Sequence, residues 1–69
     1  MKLTIEMDRE EDGRWIADIP ELPGVMVYGA TEADAVRKVK ILALEVIADK
    51  AKHGELDEEL HAIEFAKAA

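Results

Sequence analysis

The chain begins with an alternation of apolar and polar side chains. The alternation covers residues 2–7, and its apolar members occupy the odd positions: Leu3, Ile5 and Met7. A period of two over this length predicts a β-strand with one buried face. A charged run follows and ends in Asp12-Gly13, a turn signal, because glycine accepts a positive φ without steric cost. The pattern predicts a hairpin whose loop is a few residues longer than the minimum.

A second alternation begins at Trp15 and ends at Pro20, because proline lacks the N–H that a central strand requires. Both prolines of the segment Pro20–Gly24 fix their own φ, and its final glycine permits a reversal. We therefore expect Pro20–Gly24 to be a stiff corner. The apolar run Val25–Tyr28 is predicted to be the third strand.

A helix is predicted to follow this strand and to end near Lys52. The residues Thr31-Glu32-Ala33-Asp34 have the form of a capping box, in which the threonine hydroxyl accepts from the N–H of Asp34. Asp34 stands where glutamate or glutamine is preferred, which weakens the box. Gly54 is a natural residue for the other end of the helix.

The helix carries more apolar surface than one small sheet requires. Its core-facing stripe recurs at steps of three and four residues: Ala35, Val36, Val39, Ala43, Val46 and Ile47. Ile41, Leu42 and Leu44 lie beyond that stripe. We interpret the excess as a sign of a second contact, with another subunit as one option.

The last part of the chain supports two interpretations. Leu56, Leu60 and Ile63 have helical spacing, whereas Ile63 and Phe65 alternate with Glu64 as in a strand. We favour a connector over residues 55–60 and a short strand near Ala62–Ala66. The predicted fold is α+β: a three-stranded antiparallel sheet, one long helix and a short fourth strand, in the order β-β-β-α-β.

Size and charge limit the classes of function. The 69 residues are expected to form a single domain, 1–69, and a domain this small usually needs a disulfide, a metal or a partner. Cysteine is absent, which leaves self-association, as a dimer or tetramer, or a partner protein. The net charge of −7 argues against direct nucleic-acid binding and suits a basic partner. Without a signal peptide or an apolar span, we expect a cytoplasmic protein that does not bind membranes.

Residues 12–35 carry a resemblance to a known family. Five short elements occur in order: Asp12-Gly13, Trp15-Ile16-Ala17, Pro20-Glu21-Leu22-Pro23-Gly24, Gly29-Ala30-Thr31 and Asp34-Ala35. In this order and spacing they resemble the HicB family of antitoxins from bacterial and archaeal toxin–antitoxin pairs. Agreement at both ends is weaker but extends the resemblance to nearly the whole chain.

The resemblance implies a fold and a role. The fold is a partial RNase H-like domain without the catalytic carboxylates of the nuclease. The role is to neutralise a small basic HicA-type mRNA interferase by masking its RNA-binding or catalytic surface. Many HicB proteins carry a further DNA-binding domain, but too few residues follow Gly54 for one. The resemblance is therefore to the single-domain form, and operator binding is not expected. The alternative is an orphan homo-oligomeric structural or regulatory domain with no toxin.

The candidate contact residues are expected to touch a protein partner. They come from the acidic hairpin, the corner and the third strand: Glu10, Glu11, Asp12, Pro20, Glu21, Leu22, Pro23 and Tyr28. Stiff loops lose little entropy on binding, although the corner can equally serve only as a strand crossover. Trp15 is interpreted as a core residue, with an exposed interface anchor as the alternative.

No catalytic residue, cofactor or metal ligand is predicted, and the chain is not expected to be an enzyme. His53 and His61 flank several carboxylates, but the spacing matches no standard ligand pattern. The carboxylates between Asp8 and Asp18 suggest an acidic nuclease centre only by analogy of fold. We interpret them as a charged hairpin.

Overall fold

The computed structural model describes residues 1–56 and 58–68, which form four strands and one long helix. The elements in chain order are β1 (Lys2–Arg9), β2 (Trp15–Asp18), β3 (Met26–Gly29), α1 (Glu32–Lys52), a 3₁₀ turn (Glu58–His61) and β4 (Glu64–Lys67). The α+β fold and the order β-β-β-α-β are confirmed.

The four strands form one mixed sheet with the order β3-β2-β1-β4. β1 pairs with β2 in the antiparallel sense and with β4 in the parallel sense. The fourth strand is confirmed, although it begins at Glu64, two residues later than predicted. The connector before it contains the 3₁₀ turn, and position 57 lies outside the described residues. β1 is therefore a central strand flanked on both sides.

The start of α1 is capped as the sequence predicts, with one difference. The Thr31 hydroxyl accepts a hydrogen bond from the Asp34 N–H at 3.0 Å. The Asp34 carboxylate reaches back one residue further than in a standard box and accepts from the Ala30 N–H at 3.4 Å. It also pairs with Arg37 and Lys38, and the hydrogen bonds from their side chains lower the pKa of Asp34. Asp34 thus fixes both the entry and the first turn of the helix.

The helix ends in a Schellman motif. Gly54 has a φ of 73°, and its N–H donates to the Ala51 carbonyl at 3.1 Å. The Glu55 N–H donates to the Lys50 carbonyl at 2.9 Å. These bonds satisfy carbonyl groups that the last helical turn leaves free. The prediction that Gly54 ends the helix is confirmed.

α1 packs on one face of the sheet and closes the core. The buried apolar residues are Leu3, Ile5, Ala17, Ile19, Leu22, Val25, Ala35, Val39, Ala43 and Ile47. Trp15 is partly buried and packs against this core, as predicted. Gly29 of β3 lies so close to the helix that a Cβ added there would come within 2.5 Å of the Ala35 nitrogen. The first turn of the helix and β3 are therefore in direct backbone contact.

Two predicted excess residues of the helix remain on the surface. Ile41 is 46% exposed and Leu44 is 47% exposed, whereas Leu42 packs against the core. Within the described chain, Ile41 and Leu44 form the only exposed stripe of large apolar side chains on α1.

Candidate functional site

The face of the sheet opposite α1 is the candidate site, and we call it the open face. Side chains alternate between the two faces along each strand, so the strand registers identify its members. They are Lys2, Thr4, Glu6, Asp8, Ile16, Asp18, Met26, Tyr28, Glu64 and Ala66. None of the ten is in the fully buried class.

Apolar side chains gather on the β2–β3 half of the open face. Ile16 lies opposite Tyr28, and Met26 lies opposite Asp18. Met26 is 52% exposed and Tyr28, one of the predicted contact residues, is 40% exposed. The Arg14 guanidinium lies 4.5 Å from the centre of the Tyr28 ring. An exposed apolar group rimmed by charges is typical of a protein interaction site.

Carboxylates dominate the β1–β2 half of the open face. Glu6 is directly opposite Asp18 in the antiparallel pair, and Asp8 is opposite Ile16. Neither Glu6 nor Asp18 has an ion-pair partner within residues 1–56 and 58–68. Like charges facing each other across a strand pair destabilise the sheet. These carboxylates make this half of the open face negative.

The predicted hairpin residues form an ordered tip. The Gly13 N–H donates to the Glu10 carbonyl at 2.9 Å, and Gly13 has a φ of 92°. The Asp12 carboxylate accepts from the Arg14 N–H at 3.0 Å and from Arg14 Nε at 2.7 Å. The backbone hydrogen bond from Arg14 is the main cause of a lowered pKa of Asp12. Glu11 and Asp12 remain exposed at this end of the sheet.

The corner between β2 and β3 is closed by its own backbone. The Ile19 N–H donates to the Val25 carbonyl at 3.1 Å, and the Leu22 and Val25 N–H groups donate within the corner at 2.9 and 3.0 Å. Leu22 is only 4% exposed and belongs to the core, so it anchors the corner from inside. Pro20 and Pro23 are exposed and line a concave patch of about 310 Å³ that reaches Met26. The corner therefore presents a stiff apolar rim to the open face.

Glu21 joins this corner to the first strand. Its carboxylate accepts from the Thr4 N–H at 2.9 Å and from the Thr4 hydroxyl at 2.8 Å. The backbone and then the side-chain hydrogen bond from Thr4 hold the pKa of Glu21 below its ordinary value. The predicted contact residue Glu21 is thus engaged within the fold as a brace.

Glu21→Gln is expected to lower the melting temperature at neutral pH. Because the pKa of Glu21 is lowered on folding, its stabilising effect is complete above the unfolded-state pKa and disappears as the pH falls through the folded-state value. In thermal melts from pH 7 into the acid range, the melting temperatures of the original protein and of Glu21→Gln should therefore converge. Glu11→Gln, at the exposed tip, is the matched control. A difference in melting temperature that persists at the most acidic pH would contradict the stabilising role of the Glu21 carboxylate.

Apart from Tyr28, which lies on the open face itself, the predicted contact residues lie in two groups at opposite ends of β2. The tip precedes Trp15, and the corner follows Asp18. The open face connects them, through residues that the sequence analysis did not select: Glu6, Ile16, Asp18 and Met26. The alternation of side chains along each strand is the signal that could have identified them. Ile16, Met26 and Tyr28 lie on the sheet face where β1 carries polar side chains.

The open face places carboxylates beside exposed apolar side chains. In the described part of the chain, no three histidine or carboxylate side chains lie together as a metal ion would require. The His53 ring contacts the Asp49 carbonyl at 2.8 Å at the end of α1. Of the residues described, no helix is both long and apolar enough to cross a bilayer.

The fold and the site define the class of molecule: it is a small α+β protein whose sheet has one open face, which is partly acidic and partly apolar. Its sequence is similar to the UPF0150 protein Ta0767 of Thermoplasma acidophilum, with 33% identity over 55 residues that cover 80% of each chain. The chain belongs to the UPF0150 family, which is HicB-like and related to antitoxins. No protein-family model matches the chain. No solved structure matches it either.

Proposed function

We propose that this protein is a binding module that neutralises a small basic RNA-cleaving toxin of the HicA type by covering its RNA-binding or catalytic surface. The observation that carries the proposal is the open face, where carboxylates adjoin exposed apolar side chains. Membership of the UPF0150 family supports an antitoxin-like role.

The open face suits a basic protein in two ways. Glu6, Asp8 and Asp18 place like charges on neighbouring strands, which attracts a positive surface and accelerates encounter. Tyr28 and Met26 supply the apolar contact that slows dissociation once the partner is seated. A surface that binds RNA carries lysine and arginine, so the same charges that hold RNA would hold this face.

The stiffness of the flanking loops favours binding. The corner is closed by main-chain hydrogen bonds and braced by Glu21, and the hairpin tip is held by the Asp12–Arg14 pair. Loops that are already ordered lose little conformational entropy when a partner binds. In this proposal the protein acts by occupying the toxin surface, and it performs no catalysis.

The test begins with the tagged protein purified from its native cell. We expect a small basic protein to co-purify in stoichiometric amount, to cleave RNA when freed, and to lose that activity on titration with one equivalent of this chain. A co-purifying nuclease that remains active at excess chain would contradict the masking role. Recovery of this chain alone would leave the homo-oligomeric alternative.

A further inference from the structure

The two edges of the sheet differ in how they are protected. Free strand edges attract further strands, and proteins usually guard them with charged side chains. β4 carries such charges at both ends, Glu64 and Lys67. β3, at the opposite edge, has the sequence Met-Val-Tyr-Gly and carries none. Of the two edge strands, only β4 carries charged side chains in its own sequence.

The hydrogen-bonding groups at the β3 edge are set by its pairing with β2. The Ile19 N–H donates to the Val25 carbonyl, so the main-chain hydrogen-bonding groups of Val25 face the β2 side. In an antiparallel pair this direction alternates, so Val27 also bonds to β2 while Met26 and Tyr28 direct their N–H and C=O groups outward. Within the described residues, the only contact of these groups is a long hydrogen bond of 3.5 Å, which Lys38 Nζ donates to the Tyr28 carbonyl.

We infer that a second copy of this chain pairs its β3 antiparallel to the first, with Val27 on the two-fold axis. In this register Met26 of one copy lies opposite Tyr28 of the other, and each such pair exchanges both main-chain hydrogen bonds. A two-fold axis perpendicular to the sheet keeps both helices on one side and both open faces on the other. The two sheets become one continuous sheet.

The side chains along this edge favour a second copy as the occupant. Met26 and Tyr28 are exposed, apolar and brought into contact with each other across the axis. Asp18 lies beside Met26, and Arg14 lies on the Tyr28 ring, so pairing moves the Arg14 of each copy toward the Asp18 of the other. The edge is thus self-complementary in hydrogen bonding, in apolar contact and in charge.

The first experiment measures the mass of the isolated chain in solution by sedimentation equilibrium over a range of concentrations. We expect twice the 7.7 kDa mass of the chain. Met26→Lys adds a charge at the edge and is expected to give the monomer with an unchanged circular dichroism spectrum. Leu44→Lys, at a similarly exposed position on α1, is the matched control and should stay dimeric.

The second experiment tests the register. The chain has no cysteine, so Val27→Cys introduces the only thiol. Val27 faces its own counterpart as a non-hydrogen-bonded pair, whose Cα separation of about 4.5 Å suits a disulfide. Mild oxidation should cross-link this variant and leave Leu44→Cys uncross-linked.

Three outcomes would overturn the inference: a monomer at all concentrations, a dimer that survives Met26→Lys, or a cross-link at position 44 in place of 27. A dimer that survives Met26→Lys would place the interface away from the β3 edge, and a cross-link at position 44 would place it on the helix surface formed by Ile41 and Leu44. Both experiments use the isolated chain without a toxin. Their failure is therefore distinguishable from failure of the proposed function, which the RNA-cleavage titration tests.

Discussion

Gly29→Ala is expected to lower the free energy of unfolding by about 3 kcal/mol, because the added methyl group has no room. Its Cβ would lie 2.5 Å from the nitrogen and 2.8 Å from the Cα of Ala35. Both are backbone atoms of the first helical turn, so the helix itself must move away from β3. For a domain of this size each kcal/mol shifts the melting temperature by about 4–8 °C. Thermal and urea denaturation measure the loss.

Two companion variants separate this clash from other effects of losing a glycine. Gly54→Ala also removes a glycine, but its Cβ would meet open space, and only the φ of 73° is unfavourable. We expect it to cost about 1 kcal/mol. Adding Ala35→Gly to Gly29→Ala removes the Cβ contact of 2.9 Å and leaves the two backbone contacts. Full rescue by that double variant would show that the backbone contact is not the cause.

Removing two charges from the open face is expected to separate stability from binding. The double variant Glu6→Gln with Asp18→Asn abolishes a facing pair of like charges, which should stabilise the fold by about 0.5 kcal/mol. The same change should weaken binding to the basic toxin at least about tenfold, equivalent to about 1.4 kcal/mol. Denaturation and calorimetric titration with the co-purified toxin give the two quantities.

The matched control removes two carboxylates from the exposed side of α1, Glu45→Gln with Asp49→Asn. Its net charge equals that of the test variant, so a general charge effect would appear equally in both. We expect the affinity of the control to stay near that of the original protein. The difference between the variants should shrink at high salt, since exposed charges are screened. Equal losses in both would move the contact surface away from the open face.

Local signals predicted most of the fold. Period-two alternation located β1, and the capping box located the start of α1 at Thr31. Gly54 marked its end because a positive φ is required there. Each of these features depends on residues close together in sequence, so the sequence alone contains the needed physics. The segment before and including β4 allowed both a helix and a strand, because Leu56, Leu60 and Ile63 have helical spacing while Ile63 and Phe65 alternate as in a strand.

The candidate site depended on contacts between distant residues. The pairing of Glu6 with Asp18 requires the register of the hairpin, which its longer loop does not determine. The brace from Glu21 to Thr4 joins positions in different elements, and no local pattern encodes it. Leu22 was predicted to be a contact residue because it belongs to the Pro20–Gly24 corner, but this prediction is wrong: the turn of the corner directs its side chain into the core.

The parallel pairing of β1 with β4 has a consequence for how the protein folds during synthesis. The Glu64 N–H donates to the Met1 carbonyl, and the Ala68 N–H donates to the Ile5 carbonyl, so strand partners are separated by some sixty positions. A ribosome makes β4 after the other three strands and α1, and until then one side of β1 has no strand to pair with. Contacts between such distant segments slow folding and leave strand edges open to aggregation. The nascent chain is therefore most vulnerable to aggregation in the interval before β4 is released.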